Sequence, residues 1–287
     1  MQWTLPLPHA LIAALATTGA ALAETATETW RLGGLKSPES VIADAANGRL
    51  IVGNMGVFGP DGGTDGFLSV VSMDGKLVTE SFTTGLIDPK GMAIIGESLF
   101  VVDANGLVEV SLKDGTIIAT HVLNGAMFLN DATTDGKAVY VSDLAGQTVF
   151  RVEAGVSEVL LRDDSLTLPN GLFYINGSLL VGSMGVGLKP DFTVDTKGGI
   201  QVMDIGVKSV NQFAGAFGDY MVDGVAMVGD LIVFDDNPSG VIYTYSNDAV
   251  SKLTTLAPGA ADLFAQGDMV YVPLTQTGEL VALKVSP

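Results

Sequence analysis

Residues 168–184 read LPNGLFYINGSLLVGSM: a loop, a short apolar strand, a turn at Asn176-Gly177 and a second strand. Nearly the same phrase occurs five more times. Aligned on Asn170, the six versions are PES (Pro38-Glu39-Ser40), PKG (Pro89-Lys90-Gly91), LND (Leu129-Asn130-Asp131), PNG (Pro169-Asn170-Gly171), VDG (Val222-Asp223-Gly224) and ADL (Ala261-Asp262-Leu263). The middle residues, at 39, 90, 130, 170, 223 and 262, are spaced by 51, 40, 40, 53 and 39 residues. A repeat of about 40–45 residues is the length of a four-stranded blade. Each repeat parses alike. An inner strand starts at the aligned residue, and a second strand ends in a polar or small residue (RLIVGN, SLFVVD, AVYVSD, LLVGS, DLIVFD). A third strand alternates in polarity, and an outer strand finishes the blade. The predicted fold is all-β, a six-bladed β-propeller occupying 24–287 as one domain.

The last repeat has room for only three strands, DLFAQ, MVYVPL and ELVALKV. A ring closes only if no sheet edge is left open. The isolated strand ETWRLG at 28–33 is therefore predicted to supply the missing outer strand. Ahead of it, the run ALIAALATTGAALA at 10–23 is too short to span a bilayer and ends in Ala21-Leu22-Ala23, the small-residue pattern of a cleaved signal peptide. Residues 1–23 are read as that signal, although they carry no Lys or Arg. The mature chain is then expected in the periplasm or secreted, with no membrane association once the signal is removed.

Thirty-two acidic against 14 basic residues give a formal charge of −18, which argues against a nucleic-acid partner. With no cysteine, disulfides, thiolate nucleophiles and zinc–sulfur sites are excluded. Histidine occurs only at 9 and 121, and His121 falls on a predicted outer strand far from the axis, so a Ser-His-Asp triad has no histidine to use. Two insertions, 57–66 and 186–199, fall between second and third strands of repeats one and four. They are expected on the face that bears the aligned residues, as opposed halves of a lid or as ordinary loop variation.

The aligned residues, Glu39, Lys90, Asn130, Asn170, Asp223 and Asp262, are all polar. Six polar side chains at one level of a closed ring point to a site. Glu39, Asn130, Asn170 and Asp223 offer a cation only oxygen, a donor set suited to Ca²⁺, Mg²⁺ or Mn²⁺. Converging carboxylates also repel one another unless positive charge lies between them. Asp103, Asp143 and Asp235, at second-strand ends, are read as turn caps. Met55-Gly56 and Met184-Gly185 are read either as pocket lining or as core.

The phrases PES at Glu39, FLND at Asn130, LPNG at Asn170 and VDGVAM at Asp223 resemble, in order and at blade spacing, the senescence-marker-protein/gluconolactonase propellers, which include regucalcin and bacterial lactonases. The resemblance covers most of 36–287. It implies one divalent cation, Ca²⁺ first and Mg²⁺, Mn²⁺ or Zn²⁺ as alternatives, held by Glu39, Asn170 and Asp223, with Asn130 at bound water or substrate. It implies hydrolysis of a small lactone or ester, in which the cation polarises the carbonyl and acidifies water. Asp223, or Asp262 beside it, would take the proton. Two positions depart from the family. Phe128 stands where sugar lactonases often carry an Arg, which makes a sugar lactone doubtful and a more apolar lactone or ester more plausible. Lys90 could orient an anionic substrate or stabilise an oxyanion. It could also sit solvated at the channel mouth, or fill the cation site and leave a non-catalytic propeller that binds a ligand or protein partner.

Overall fold

The computed structural model describes residues 24–57 and 63–286. The signal reading at 1–23 and the tip of the first insertion lie outside these residues. Six four-stranded antiparallel sheets follow one another along the chain. Blade one is built from Pro38–Asp44, Arg49–Asn54, Gly66–Ser72 and Leu77–Leu86, and blade two from Met92–Ile95, Ser98–Asp103, Gly106–Ser111 and Ile117–His121. Blade three comprises Leu129–Thr134, Ala138–Asp143, Thr148–Glu153 and Val156–Arg162. Blade four comprises Pro169–Ile175, Ser178–Val186, Thr196–Asp204 and Ser209–Tyr220. Blade five comprises Val225–Val228, Leu231–Asp236, Val241–Ser246 and Ala249–Thr255. Blade six takes Phe264–Gln266, Met269–Leu274 and Glu279–Ser286 from the end of the chain and Thr25–Gly33 from its beginning. The architecture is the six-bladed propeller that the repeat predicts.

The middle strands are apolar on both faces because each blade is covered on both sides by its neighbours. Between blades one and two, Ile51, Leu68 and Val70 pack against Leu99, Val101 and Val110. Equivalent layers fill the other five interfaces. At the last of these, between blades six and one, Trp30 of the N-terminal strand stacks obliquely on Tyr271, with ring centroids 5.9 Å apart. Its indole N–H donates to the Met73 carbonyl of blade one at 3.0 Å. The N-terminal strand pairs with the last strand from Thr25↔Ser286 to Gly33↔Glu279, three residues longer than ETWRLG suggested.

Two expectations need correction. The second insertion is a continuation of strands two and three of blade four, with Gly185 paired to Lys197 and Val186 to Thr196, so only 187–195 form its tip. The second strand of blade five ends at Asp236 rather than Asp235. The shift by one residue matters at the site.

Candidate functional site

Each aligned residue stands at or just before the start of an innermost strand. Strand pairing shifts register across Glu39 (between Pro38 and Ser40), across Asn130 (between Leu129 and Ala132) and across Asn170 (between Pro169 and Leu172). Bulges of this kind re-aim a side chain out of the sheet face. Neighbouring blades are stitched at the same level. The Gly91 N–H donates to Asn130 O at 2.9 Å, the Asp262 N–H to Glu39 O at 2.9 Å, and the Ser40 hydroxyl to Lys90 O at 2.6 Å. Blades four and five approach so closely that a Cβ on Gly171 would fall 2.2 Å from the Asp223 carbonyl oxygen, so glycine is required there.

Five buried side-chain oxygens have no hydrogen-bond partner among the described residues: Glu39 Oε2, Asn130 Oδ1, Asn170 Oδ1 and Asp223 Oδ1, all on aligned residues, and Asp235 Oδ2. These four aligned residues are 5, 6, 2 and 9 % exposed, so water does not compensate them from an open surface. An orphaned buried acceptor costs about 1–3 kcal/mol, and four at equivalent ring positions are not an accident of packing. Burial drives the Glu39 carboxyl well above the usual carboxylate range; Lys90 works against that shift and Asp223 reinforces it. Burial likewise pushes Asp223 up to about 6, opposed by Lys90 and then by the Asn237 and Asn170 amides. Asp223 thus acts on Glu39 through space, and Asn170 acts on Asp223. Among the described residues no three His, Asp or Glu side chains gather as metal ligands, because the oxygen set here is half carboxamide. That set fits a hard divalent cation.

Lys90 is buried and not solvated at the mouth. Its ammonium pairs with Asp88 at 2.9 Å, lies 3.3 Å from the Met55 sulfur, and sits 5.5 Å from the centroid of the Phe128 ring. It moderates Glu39 and Asp223 through space, while Glu39 Oε2 and Asp223 Oδ1 have no hydrogen-bond partner among the described residues.

Sequence reasoning missed Asp131, Asp236 and Asn237, and it read Asp235 only as a turn cap. Asn237 Nδ2 donates to Asp223 Oδ2 at 2.8 Å and to Ala260 O at 2.8 Å, fixing one Asp223 oxygen and leaving the other exposed to the ring. Asp235, fully buried, receives the Asp223 and Gly224 N–H groups on Oδ1 at 2.8 and 3.1 Å, so it sets the backbone of Asp223 rather than capping a turn. The capping place in blade five belongs to Asp236, which receives the Met221 N–H at 2.9 Å. Asp103 and Asp143 do the same job for the Asp88 and Phe128 N–H groups at 2.6 and 2.7 Å, as caps.

The charges of Asp131, Glu39 and Asp223 all bear on the Asp262 carboxyl. That carboxyl shares a hydrogen bond with Asp131, which comes from the opposite blade. Burial, together with the charge of Asp131, drives Asp262 well up, and burial raises Asp131 to about 7 despite the Leu172 and Ala132 N–H groups that bond it. Both line the top of an axial channel of about 210 Å³ walled by the innermost strands. Deep inside, like charges this close cannot both remain ionised without cost.

Above the ring lies a second tier. The bonds Met55 N–H to Ser37 O, Leu144 to Phe128, Met184 to Leu168, and Asn237 to Met221 (2.8–3.1 Å) place one pair at matching positions in each of blades one, three, four and five. Over blades three and four, and at the entry to five, this tier is apolar: Leu144, Leu168, Met184 and Met221 form one buried cluster with Phe128 against it. Leu188 and Val194, from the extended hairpin of blade four, pack on the same cluster, so the second insertion does lean over this face. Its counterpart in blade one is described only at its base, where Asp65 accepts the Val57 N–H at 3.3 Å. His121 lies on the outermost strand of blade two, 3.3 Å from Glu109, away from the ring.

No protein-family model matches the chain, and no curated protein matches it. Solved structures similar to it include a protein of unknown function from Bacteroides thetaiotaomicron (TM-score 0.70, 10 % identity, covering 92 % of this chain and 76 % of that one). A protein described as a candidate gluconolactonase is similar at TM-score 0.67 and 15 % identity, with 92 and 93 % covered. Virginiamycin B lyase from Staphylococcus aureus is similar at TM-score 0.60 and 12 % identity, with 91 and 99 % covered. At these identities the likeness establishes the propeller fold.

Proposed function

We propose that the chain is a divalent-metal-dependent hydrolase of a small lactone or ester. The observation that carries this reading is the set of four unpartnered buried oxygens on Glu39, Asn130, Asn170 and Asp223. Glu39, Asn170 and Asp223 would hold the cation, Ca²⁺ by donor chemistry, and Asn130 would face substrate. A cation held there supplies Lewis acidity and lowers the pKa of water. Asp223 accepts the proton from the attacking water as its oxygen bonds to the acyl carbon. The acyl C–O bond then breaks, and the same proton passes to the leaving alkoxide oxygen. Asn130 orients the carbonyl through its amide, and the Lys90 ammonium stabilises negative charge developing near it. Asn237 holds Asp223 in place throughout.

Lys90's field on Glu39 and Asp223 supports a second reading, a propeller that binds a ligand or partner without catalysis. Metal content after dialysis, in wild type and Asp223→Ala, separates the two when combined with lactones and aryl esters assayed with Ca²⁺, Mg²⁺, Mn²⁺, Zn²⁺ and EDTA. Stoichiometric metal in wild type alone, with turnover abolished by EDTA, supports the hydrolase. Turnover that survives chelation removes it.

A further inference from the structure

The geometry points to a neutral substrate with an apolar body, which lies over blades three to five while its carbonyl meets the ring; this rests on the hydrolase reading above. Three observations carry it. First, the tier above the ring is divided. Phe128, Leu168 and Met221 stand two residues ahead of Asn130, Asn170 and Asp223 and belong to one apolar cluster over blades three to five, while Ser37, Asp88 and the small Ala260 hold the matching places in blades one, two and six. Second, the hairpin of blade four brings Leu188 over that same side, extending apolar surface beyond the blade tops. Third, Lys90 is already paired to Asp88 and lies against Met55 and Phe128, and Lys197 of blade four is paired to Asp236 of blade five. An anionic ligand would bring a full charge against Asp88, Glu39 and Asp223 as well as to the Lys90 ammonium. A neutral carbonyl meets that ammonium only with the charge it develops during reaction. A polyhydroxylated ligand would set its hydroxyls against Phe128 and Leu168, which offer no hydrogen bond in return, and an unmatched buried hydroxyl is costly. An alkyl chain loses nothing there and removes its own surface from water.

The experiment compares metal-loaded wild type on δ-lactones bearing alkyl chains of increasing length with glucono-δ-lactone. The expected result is kcat/KM rising with each methylene, by up to about fourfold per step, and exceeding that for glucono-δ-lactone by more than tenfold. Phe128→Ser and Leu188→Ser, both half-buried positions, should flatten the dependence on chain length while leaving metal content unchanged. A flat wild-type series, or a preference for glucono-δ-lactone, overturns the inference and leaves the hydrolase reading standing. If no lactone is turned over, the hydrolase reading fails alone. Calorimetric binding of the matching alkyl δ-lactams then decides this one, because affinity that rises with chain length supports it and affinity that does not rise overturns it.

Discussion

Asn237 donates to Asp223 Oδ2 at 2.8 Å, and Asp223 Oδ1, on the same carboxyl, has no hydrogen-bond partner among the described residues. One oxygen is anchored so that the other points where a ligand can reach it. Groups that orient a metal ligand in this way are typically worth about 10–100-fold in metal affinity. Asn237→Ala is expected to weaken Ca²⁺ binding by that factor while the far-ultraviolet circular dichroism stays that of the wild type. An unchanged dissociation constant would show that the bond is incidental.

Asp223→Ala removes a buried carboxyl whose burial outweighs the compensation that Lys90 and Asn237 give it. The variant should therefore melt no lower than wild type without metal, and roughly 1–3 kcal/mol of relief is the scale expected. It should also lose the rise in Tm that Ca²⁺ gives wild type, since a ligand stabilises only the state that binds it. Differential scanning calorimetry with EDTA and with Ca²⁺ reads both effects. A variant that keeps the full calcium shift would exclude Asp223 as a ligand.

The pH dependence has a definite sign. Asp223 and Asp131 are raised from the ordinary 3.8 to about 6 and about 7, so the folded chain binds more protons than the unfolded one between pH 4 and 7. Their protonated forms stabilise the metal-free fold at low pH, and that stability is lost as pH rises through 6 to 7. Metal-free Tm should fall from pH 5 to pH 7.5, and added Ca²⁺ should raise Tm more at pH 7.5 than at pH 5, where protons compete for the same oxygens. A metal-free Tm that climbs over this interval would contradict the proposed burial of these carboxyls.

Lys90→Met leaves Asp88, Glu39 and Asp223 without their cation. Divalent affinity is expected to increase several-fold, because the positive charge that opposed the metal has gone, while kcat falls about 10–100-fold if the ammonium stabilises the developing oxyanion. Isothermal titration and steady-state kinetics on the same preparation separate these effects. Higher affinity with unchanged kcat would assign Lys90 to charge balance alone.

Removing 24–34 strips the outer strand from blade six and takes Trp30 away from Tyr271 and Met73. The truncated protein should melt at least about 10 °C lower than wild type, a drop that corresponds to a few kcal/mol in a domain of this size. Thermal melts of the two forms provide the check, and equal Tm values would mean that the ring does not depend on this closure.

The propeller was legible because one phrase, from Pro38 to Leu263, recurs at the length of a blade, and because ELVALKV ended the chain one strand short. Glu39, Asn130, Asn170 and Asp223 were legible for the same reason: they occupy one column of the repeat. What a column cannot show is contact across the axis. Asp131 and Asp262 sit in opposite blades, and their shared hydrogen bond leaves no local signal in the sequence. Nor could the pair Asp235-Asp236 be resolved by pattern, since either aspartate could end the strand. Only the backbone decides that Asp236 caps the Met221 N–H while Asp235 supports Asp223. Asn237 did carry a signal that was passed over, as a polar side chain where Met55, Leu144 and Met184 are apolar.

The pairing of Thr25–Gly33 with Glu279–Ser286 brings the two ends of the described chain into one sheet. During synthesis the first strand therefore has to wait, without its proper neighbour, until almost every other residue has been made. A circular permutant that joins these ends through a short linker and opens instead at an exposed turn between two blades would make each blade from contiguous chain. It would then owe nothing to a late rendezvous between distant termini.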